Sequence, residues 1–387
     1  MPNQPLLLLA ALLGHGFAWA AVINRVHSQP WRCRTLKRWR DAIVAVNVVA
    51  PLLLVWWAYT DAAEPLRTVV FAALSLGLLA LLGAIVQHWT RAERAVAESR
   101  STVLDLSDSV AIGDGPIVRL AGVPRNEVRQ IDVAEKTLQL PRWPRDAAPL
   151  RVLHLTDWHF TGTPDRTFYG RAVEAANELD ADLALFSGDL IDRMDLLPWI
   201  KPTLGQVKAR HGRLFILGNH DWMQQPDAIR TAVADAGWDD VASQTRIVDV
   251  DGTRLEIGGS ERPWMGTEPS FTSDAVRIGV MHTPDRFAWA VAEGCALAVA
   301  GHNHGGQVRL PGVGPLLSPA RTGTRYASGV FERRGTVMHV GRGLGALHPL
   351  RIRCRPEITL LTLTAVPNDD ASPGGLAARA ERSPASA

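Results

Sequence analysis

Residues 150–159 read LRVLHLTDWH, a short apolar run followed directly by an aspartate and a histidine. The same arrangement recurs in four further segments, LALFSGDLID (183–192), LFILGNHD (214–221), VRIGVMH (276–282) and ALAVAGHNH (296–304). Short apolar runs bounded by Gly or polar turns are typical of buried strands. The pattern therefore predicts five strands, each of which ends in a cluster of polar side chains.

Helical spacing between these runs completes an alternating pattern. Apolar residues recur with a period near 3.6 over 168–179, and 228–236 is a second candidate helix. Such alternation predicts a layered α/β domain with ligands at the carboxyl ends of the strands, so the five clusters should converge on one sheet edge. A hairpin predicted around Asp251-Gly252 in 246–257, together with the strand-rich segment 311–363, should build a second sheet.

The side chains at these strand ends are nitrogen and oxygen donors. They are Asp157, His159, Asp189, Asn219, His220, His282, His302 and His304. One histidine after a strand is usually structural, but the whole set favours metal ligation by Mn, Fe or Zn. So many donors exceed the needs of one tetrahedral ion. We therefore predict two divalent ions with Asp189 as the bridge, because paired cations repel unless negative charge lies between them.

The order and spacing of these residues resemble the calcineurin-like metallophosphoesterase family. The family pattern is DxH, GDxxD, GNHD or GNHE, a lone His and GHxH. It is matched in order by segments that begin at Asp157, Gly188, Gly218, His282 and Gly301. The resemblance covers about 150–363, and GHNHGGQVRLP (301–311) further resembles a bacterial membrane-associated subgroup. It implies a four-layer αββα sandwich and hydrolysis of a phosphoester or pyrophosphate bond.

The resemblance also implies a role for each residue. The first ion would be held by Asp157, His159, Asp189 and His304. The second ion would be held by Asp189, Asn219, His282 and His302. His220 would not bind metal but would contact the phosphoryl group beside Asn219 and supply a proton to the leaving group. Asp221 would orient His220, and Asp192 would support the site from behind.

The composition excludes some classes of protein. Of 387 residues, 47% are hydrophobic and 21% are charged, and the net charge of +2 with a pI of about 8.6 is too weakly basic to predict nucleic-acid binding. Cys33, Cys295 and Cys354 are far apart and form no CxxC pair. Neither a disulfide framework nor a thiolate zinc site is therefore predicted.

Three apolar runs precede the domain, at 5–23, between Asp41 and Asp61, and between Arg67 and Arg91. Each is long enough to cross a hydrocarbon core of about 30 Å. The first could instead be a signal peptide, but no basic segment precedes it. The spans contain no Asp or Glu, which favours an anchor over a transporter.

The charge of the loops predicts the orientation of this anchor. The first loop carries the basic residues Arg25, Arg32, Arg34, Lys37, Arg38 and Arg40, whereas the second contains only Asp61, Glu64 and Arg67. Loops rich in Lys and Arg stay in the cytoplasm. We therefore expect a multi-pass protein of the cell (inner) membrane, with the lipid bilayer as a partner and the catalytic domain in the cytoplasm.

These patterns divide the chain into four parts. They are the anchor (1–92), a linker with the leading strands of the domain (93–148), the metallophosphoesterase domain (149–366) and a disordered tail (367–387). The polar stretch 91–110 is expected to be a helical linker, and the tail is rich in Ala, Ser, Pro and Gly.

Apolar residues near the catalytic loops bear on the substrate. They are Trp158, Trp222, Met223, Trp264 and Met265. Beside a bilayer they would suit an amphiphilic phosphate ester, or else they pack in the core. The resemblance permits a narrower hypothesis, a UDP-2,3-diacylglucosamine diphosphatase of lipid A synthesis. Its diphosphate would need arginines from among Arg262, Arg309, Arg321, Arg325 and Arg342. A catalytically silent, metal-bound membrane scaffold or sensor is the alternative of another class.

Overall fold

The computed structural model describes residues 4–31, 33–58, 64–90, 93–315 and 317–367. Within them the α-helices are α1 Gln4–His27, α2 Cys33–Ala58, α3 Glu64–Thr90, α4 Arg166–Glu178, α5 Asn219–Met223, α6 Pro226–Asp235 and α7 Phe287–Ala292. The strands are β1 Val96–Asp105, β2 Gln130–Leu140, β3 Leu150–Leu155, β4 Leu183–Ser187, β5 Gly212–Ile216, β6 Asp239–Asp240, β7 Thr245–Val250, β8 Thr253–Ser260, β9 Val276–Met281, β10 Leu297–Ala300, β11 Arg309–Leu310, β12 Gly314–Pro315, β13 Gly329–Arg333, β14 Thr336–Val340 and β15 Glu357–Ala365.

The strands build two mixed sheets. The first has the order β1-β2-β15-β3-β4-β5-β6, with β3 to β6 parallel and β15 antiparallel to β3. The second has the order β13-β14-β10-β9-β8-β7, with β14, β10, β9 and β8 parallel. The predicted hairpin is β7–β8, and its turn residues Asp251 and Gly252 both have positive φ, as a tight hairpin turn requires.

Alternation along β3 shows how the layers pack. Leu150 and Val152 lie between the two sheets against residues of β8 and β9, whereas Leu153 and Leu155 face α4. On the far side of the second sheet, Met281 packs with residues of α7. Helices therefore cover the outer faces of two packed sheets, which confirms the predicted αββα sandwich.

Both predicted helices of the domain are present, as α4 and α6. Helix α4 begins after Asp165, whose carboxylate accepts a hydrogen bond from the Phe168 backbone N–H at 3.2 Å. Its apolar residues, including Phe168, Ala172 and Ala176, are buried on one side of the helix. This helix covers the strands whose ends carry Asp157 and Asp189.

Two predictions about the ends of the domain were wrong. The stretch 91–110 was expected to be helical, but β1 pairs antiparallel with β2 from Val96 opposite Leu138 to Asp105 opposite Gln130. Most residues of β1 are exposed, so this edge strand carries no apolar alternation that would mark it in the sequence. Segment 311–363 is also split, because β13 and β14 join the second sheet whereas β15 lies in the first.

The apolar runs at the N-terminus form helices α1 to α3. Among the described residues, Leu8–His27 and Arg34–Trp57 are long and apolar enough to cross a membrane, whereas the apolar segment Val70–Gly83 of α3 is shorter. Two of the three predicted spans therefore meet the length criterion, and the third stays a prediction. Apart from Pro367, the predicted tail at 367–387 lies outside the described residues.

Candidate metal centre

The five polar clusters meet, but at two sheet edges. Asp157, Asp189 and Asn219 follow β3, β4 and β5 of the first sheet, whereas His282 and His302 follow β9 and β10 of the second. The sequence predicted a single edge. The sheets pack so that the carboxyl ends of these strands lie side by side, and the site forms across the sandwich.

A first group of donors joins three loops. Its members Asp157, His159, Asp189 and His304 each offer an atom within 4.8 Å of the others. His159 Nε2 lies 3.1 Å from His304 Nε2 and 3.5 Å from Asp189 Oδ2. His304 Nε2 lies 3.5 Å from Asp157 Oδ1. All four are buried, so these donors face one another away from water.

A second group uses the other side of Asp189. Its members Asp189, His282 and His302 again lie within 4.8 Å of one another. His282 Nε2 is 3.2 Å from Asp189 Oδ2, 3.2 Å from His302 Nδ1 and 2.9 Å from Asn219 Oδ1. Asp189 is therefore common to both groups, which is the position that the sequence predicted for a bridging carboxylate.

The outward nitrogens of these histidines have fixed partners. His282 Nδ1 lies 2.8 Å from the Ser187 carbonyl, and His302 Nε2 lies 3.0 Å from the Pro319 carbonyl. His159 Nδ1 lies 2.7 Å from Asp192 Oδ2. A ring that donates through one nitrogen presents the lone pair of the other. Each of these partners therefore orients the ring so that its other nitrogen faces the centre.

The backbone at the site is held in an unusual conformation. Asp157, His159, Asp189, His302 and His304 all have φ between 48° and 70°. Residues other than glycine rarely adopt this left-handed region, and such residues cluster at functional sites. The conformation turns each side chain off its strand end and into the shared centre.

Two glycines of the motifs are required by close approach. A Cβ at Gly218 would collide with Asp189 Oδ1, and a Cβ at Gly301 would collide with Asp157 Oδ2. Glycine therefore lets the loops after β5 and β10 lie directly against the carboxylates.

Asp221 does not orient His220, which corrects the sequence-based role. The fully buried Asp221 carboxylate accepts hydrogen bonds from the backbone N–H groups of Asp189, Leu190, Ile191 and Gly218 at 2.9–3.0 Å. It therefore shapes the loop that carries Asp189. Burial and the neighbouring Asp189 carboxylate raise the pKa of Asp221 to about 6.

The partner of His220 is Asp192. Asp192 Oδ1 lies 2.5 Å from His220 Nδ1, while its Oδ2 contacts His159. Burial lowers the pKa of His220, but the charges of Asp192 and Asp189 outweigh it and the pKa is raised. The sequence offered Asp192 only as a supporting residue, because the spacing of GDxxD does not reveal which histidines its second carboxylate contacts.

The buried carboxylates and imidazoles of the centre shift one another's pKa values. Burial opposes the charge of Asp157 and Asp189, yet neighbouring imidazoles outweigh it and hold the pKa of each carboxyl low. Burial lowers the pKa of His282, but Asp189 outweighs burial and raises it to about 9. Burial, aided by the His282 charge, lowers the pKa of His302 to about 4, and burial lowers that of His304 to about 3.

This arrangement fits a pair of divalent cations. Buried carboxylates that stay ionised need positive charge beside them, and without a metal the protonated His282 supplies part of it. His302 and His304 are neutral at pH 7 and so keep the lone pairs that a metal requires. The donor chemistry of carboxylate, amide oxygen and imidazole suits Mn, Fe or Zn.

The predicted apolar rim is only partly present. Trp158 is fully buried in the core against Tyr169 and Phe186, so it cannot contact a substrate. The half-buried Trp264 instead lies beside the second group, with its ring 5.1 Å from that of His302. Trp264 therefore borders the second group.

Some of the arginines offered for a diphosphate are already engaged. Arg342 forms ion pairs with Asp132 and Glu357. Arg309 donates to Ser328 Oγ and to the Gly305 carbonyl. Arg262 and Arg321 are exposed.

A buried arginine at the site was missed. Arg351 is fully buried, donates to the Gly345 carbonyl at 2.6 Å and lies 3.5 Å from His304 Nδ1. It lies 47 positions from His304 and outside every motif, so no local pattern could connect the two.

Comparisons with known proteins agree with this site. Residues 150–306 match the family described as calcineurin-like phosphoesterase. The chain is 29% identical over 251 residues to the uncharacterized metallophosphoesterase YkuE of Bacillus subtilis, covering 61% of this chain and 87% of that protein. It is 28% identical over 226 residues to phosphodiesterase YaeI of Escherichia coli, covering 56% and 83%. A transmembrane protein with metallophosphoesterase domain of Danio rerio is 26% identical over 404 residues, covering 91% and 86%.

Two packed sheets with a double Asp/His cluster at their carboxyl edges define a metal-dependent hydrolase. Residues 150–306 form a calcineurin-like metallophosphoesterase domain, and the protein is a metal-dependent phosphoester hydrolase.

Proposed function

We propose that the protein hydrolyses the phosphoester or pyrophosphate bond of an amphiphilic substrate at the cytoplasmic face of the cell membrane. This proposal rests on Asp189, which belongs to both buried donor groups. The first ion is assigned to Asp157, His159, Asp189 and His304. The second is assigned to Asp189, Asn219, His282 and His302. When bound, the ions would supply positive charge to the phosphoryl oxygens and make a water molecule more acidic.

The protein supplies the proton for the leaving group. His220 is held by Asp192 through Nδ1, so Nε2 is the nitrogen that can give up a proton. The raised pKa of His220 favours its protonated form, which is the state a general acid needs. The Asp189 carboxylate also accepts from the His220 backbone N–H at 2.8 Å, which ties the proton donor to the bridging residue.

A model diester tests the reaction and the role of His220. The full-length protein with Mn²⁺ should hydrolyse bis-p-nitrophenyl phosphate and lose this activity when a chelator is added. His220→Ala should retain the bound metal but lower kcat by about 10²–10⁴-fold, because only the proton donor is removed. Metal content is measured by inductively coupled plasma mass spectrometry.

The matched control is His211→Ala, since His211 is a half-buried histidine before β5 and lies outside both donor groups. Wild-type turnover in His220→Ala would disprove the assigned role. A metal-loaded wild type that hydrolyses none of a panel of monoesters, diesters and pyrophosphates would favour the scaffold or sensor.

The membrane part of the proposal rests on the anchor. Two N-terminal helices are long enough to span, and a relative whose name includes "transmembrane" aligns with 91% of this chain. The basic residues at the facing ends of these two helices favour a cytoplasmic position for the turn between them. The predicted third span, between Arg67 and Arg91, would then return the chain to the cytoplasm and place the domain there. We assign 1–92 to a multi-pass anchor, 93–366 to the catalytic unit and 367–387 to a tail. If the domain is cytoplasmic, a green fluorescent protein fused to the C-terminus should fluoresce. A periplasmic C-terminus would give a fusion that does not fluoresce.

A narrower candidate is the diphosphatase acting on UDP-2,3-diacylglucosamine. Trp264 beside the second donor group and the exposed Arg262 and Arg321 suit an acylated diphosphate. Incubation of the Mn²⁺ form with this substrate should release UMP faster than incubation with unacylated UDP-glucosamine. No UMP from the acylated substrate removes this candidate while leaving the diester activity intact.

A further inference from the structure

The anchor and the catalytic domain meet at a loop formed by residues 317–326. Asn24, in the last turn of α1, accepts a hydrogen bond through Oδ1 from the Ser318 backbone N–H at 2.9 Å. The two residues are 294 positions apart, and both are buried, with Asn24 6% and Ser318 2% exposed. A polar side chain buried at the end of an apolar helix is expected to have a partner, and here the partner belongs to the catalytic domain.

The next residue of this loop contacts the metal centre. The Pro319 carbonyl lies 3.0 Å from His302 Nε2, and His302 directs Nδ1 towards His282 and Asp189. A carbonyl in this position selects the ring tautomer that leaves Nδ1 free to bind a metal. A continuous path therefore runs from Asn24 through Ser318 and Pro319 to His302.

The other end of the loop is held within the catalytic domain. The Asp285 carboxylate accepts hydrogen bonds from the Arg321 and Thr322 backbone N–H groups at 2.8 and 3.0 Å. Asp285 therefore secures the part of the loop that follows Pro319, while Asn24 secures the part that precedes it. Without Asn24, the buried Ser318 N–H would lose its partner, and the loop would have reason to shift.

We propose that Asn24 is a positioning residue for the second metal site. The membrane anchor then supports the metal centre through the loop that carries Ser318 and Pro319. This inference rests on the proposed assignment of His302 to the second ion. It adds that the affinity for this ion depends on the docking of α1 against the loop. The first group depends on Asp192 and has no such link to Asn24 in the described residues.

The test measures Mn²⁺ binding by the full-length protein in lipid nanodiscs. Isothermal titration calorimetry should resolve two ions for the wild type. Asn24→Leu, which keeps the branched four-atom side chain but loses the acceptor, should weaken binding of the second ion by about 10–100-fold and leave binding of the first unchanged. Asn24→Asp, which keeps an acceptor oxygen, should keep the wild-type affinity for the second ion.

Asn47→Leu is the matched control. Asn47 also lies in an anchor helix, but its side chain donates to the Ile43 carbonyl of the same helix, so both affinities should stay at the wild-type values. If Asn24→Leu does not fold, Asn24→Ala takes its place, and folding is checked by the thermal unfolding midpoint.

The outcomes separate this inference from the proposed function. Two wild-type affinities in a folded Asn24→Leu variant would overturn the role of Asn24, as would equal weakening of both ions. A wild type that binds fewer than two ions would instead contradict the assignment of the two donor groups.

Discussion

The two halves of the metal centre share Asp189 but are supported in different ways. Behind the first group lie the charged side chains of Asp192 and Arg351, both from the catalytic domain. In the second group, the outward nitrogens of His282 and His302 contact the backbone carbonyls of Ser187 and Pro319. Charged side chains of the catalytic domain therefore hold the histidines of the first half. The orientation of His302 in the second half depends instead on the position of a loop that also contacts the anchor.

The difference indicates that the halves can be disturbed separately. A change at Asp189 should affect both, a change at Asp192 should affect the first half and the proton donor, and a change in pH should affect both through different histidines.

Asp189→Asn should have the largest effect. Loss of the shared charge should remove both ions and lower hydrolysis of a model diester by more than about 100-fold, since even indirect partners of a metal site contribute 10–100-fold. Metal content after gel filtration checks this result. Asp195→Ala, which removes an exposed carboxylate paired with Arg193, is the control. Retention of one tightly bound ion would argue against a bridging role.

Asp192→Asn should have an intermediate effect and lower activity by about 10–100-fold. The second ion should remain bound. It should also change the pH profile. The Asp192 charge helps to raise the pKa of His220, so its removal lowers that pKa. Because His220 must be protonated to donate, activity should be lost at lower pH in the variant than in the wild type.

The pH–kcat profile under saturating Mn²⁺ measures this shift. An unchanged basic limb would show that Asp192 does not control the proton donor. Asp221→Asn offers a contrast, because its carboxylate contacts backbone N–H groups and should affect the thermal unfolding midpoint more than the basic limb.

The pH dependence of metal binding should show the smallest effect. In each half one histidine, His159 or His282, has a raised pKa, so binding of either ion should release about one proton at pH 7. Affinity for the second ion should therefore increase by up to about tenfold per pH unit and level off above about pH 9, where His282 becomes mostly neutral. Titrations in buffers of different ionisation enthalpy measure the released protons, and release of none would contradict this protonation scheme.

Much of the site could be predicted because its residues follow strands directly. The apolar runs before Asp157, Asp189 and His282 mark β3, β4 and β9, and a donor at the end of a strand needs no further information to be placed at a sheet edge. The partner of His220 could not be found this way. Asp221 is the next residue in the chain, whereas Asp192 lies 28 positions before His220. Only the packing of the loops after β4 and β5 decides which carboxylate His220 contacts.

The sequence by itself determined the apolar helices at the N-terminus, the strand ends that carry donors and the order of the motifs. Each of these depends on the period of apolar residues over a few turns or on spacing within a few positions. Only the tertiary structure decided that two sheets share one centre, that 96–105 is an edge strand, and that Asn24 reaches Ser318. Those features depend on backbone pairing and buried hydrogen bonds between distant segments, which leave no local pattern in the chain.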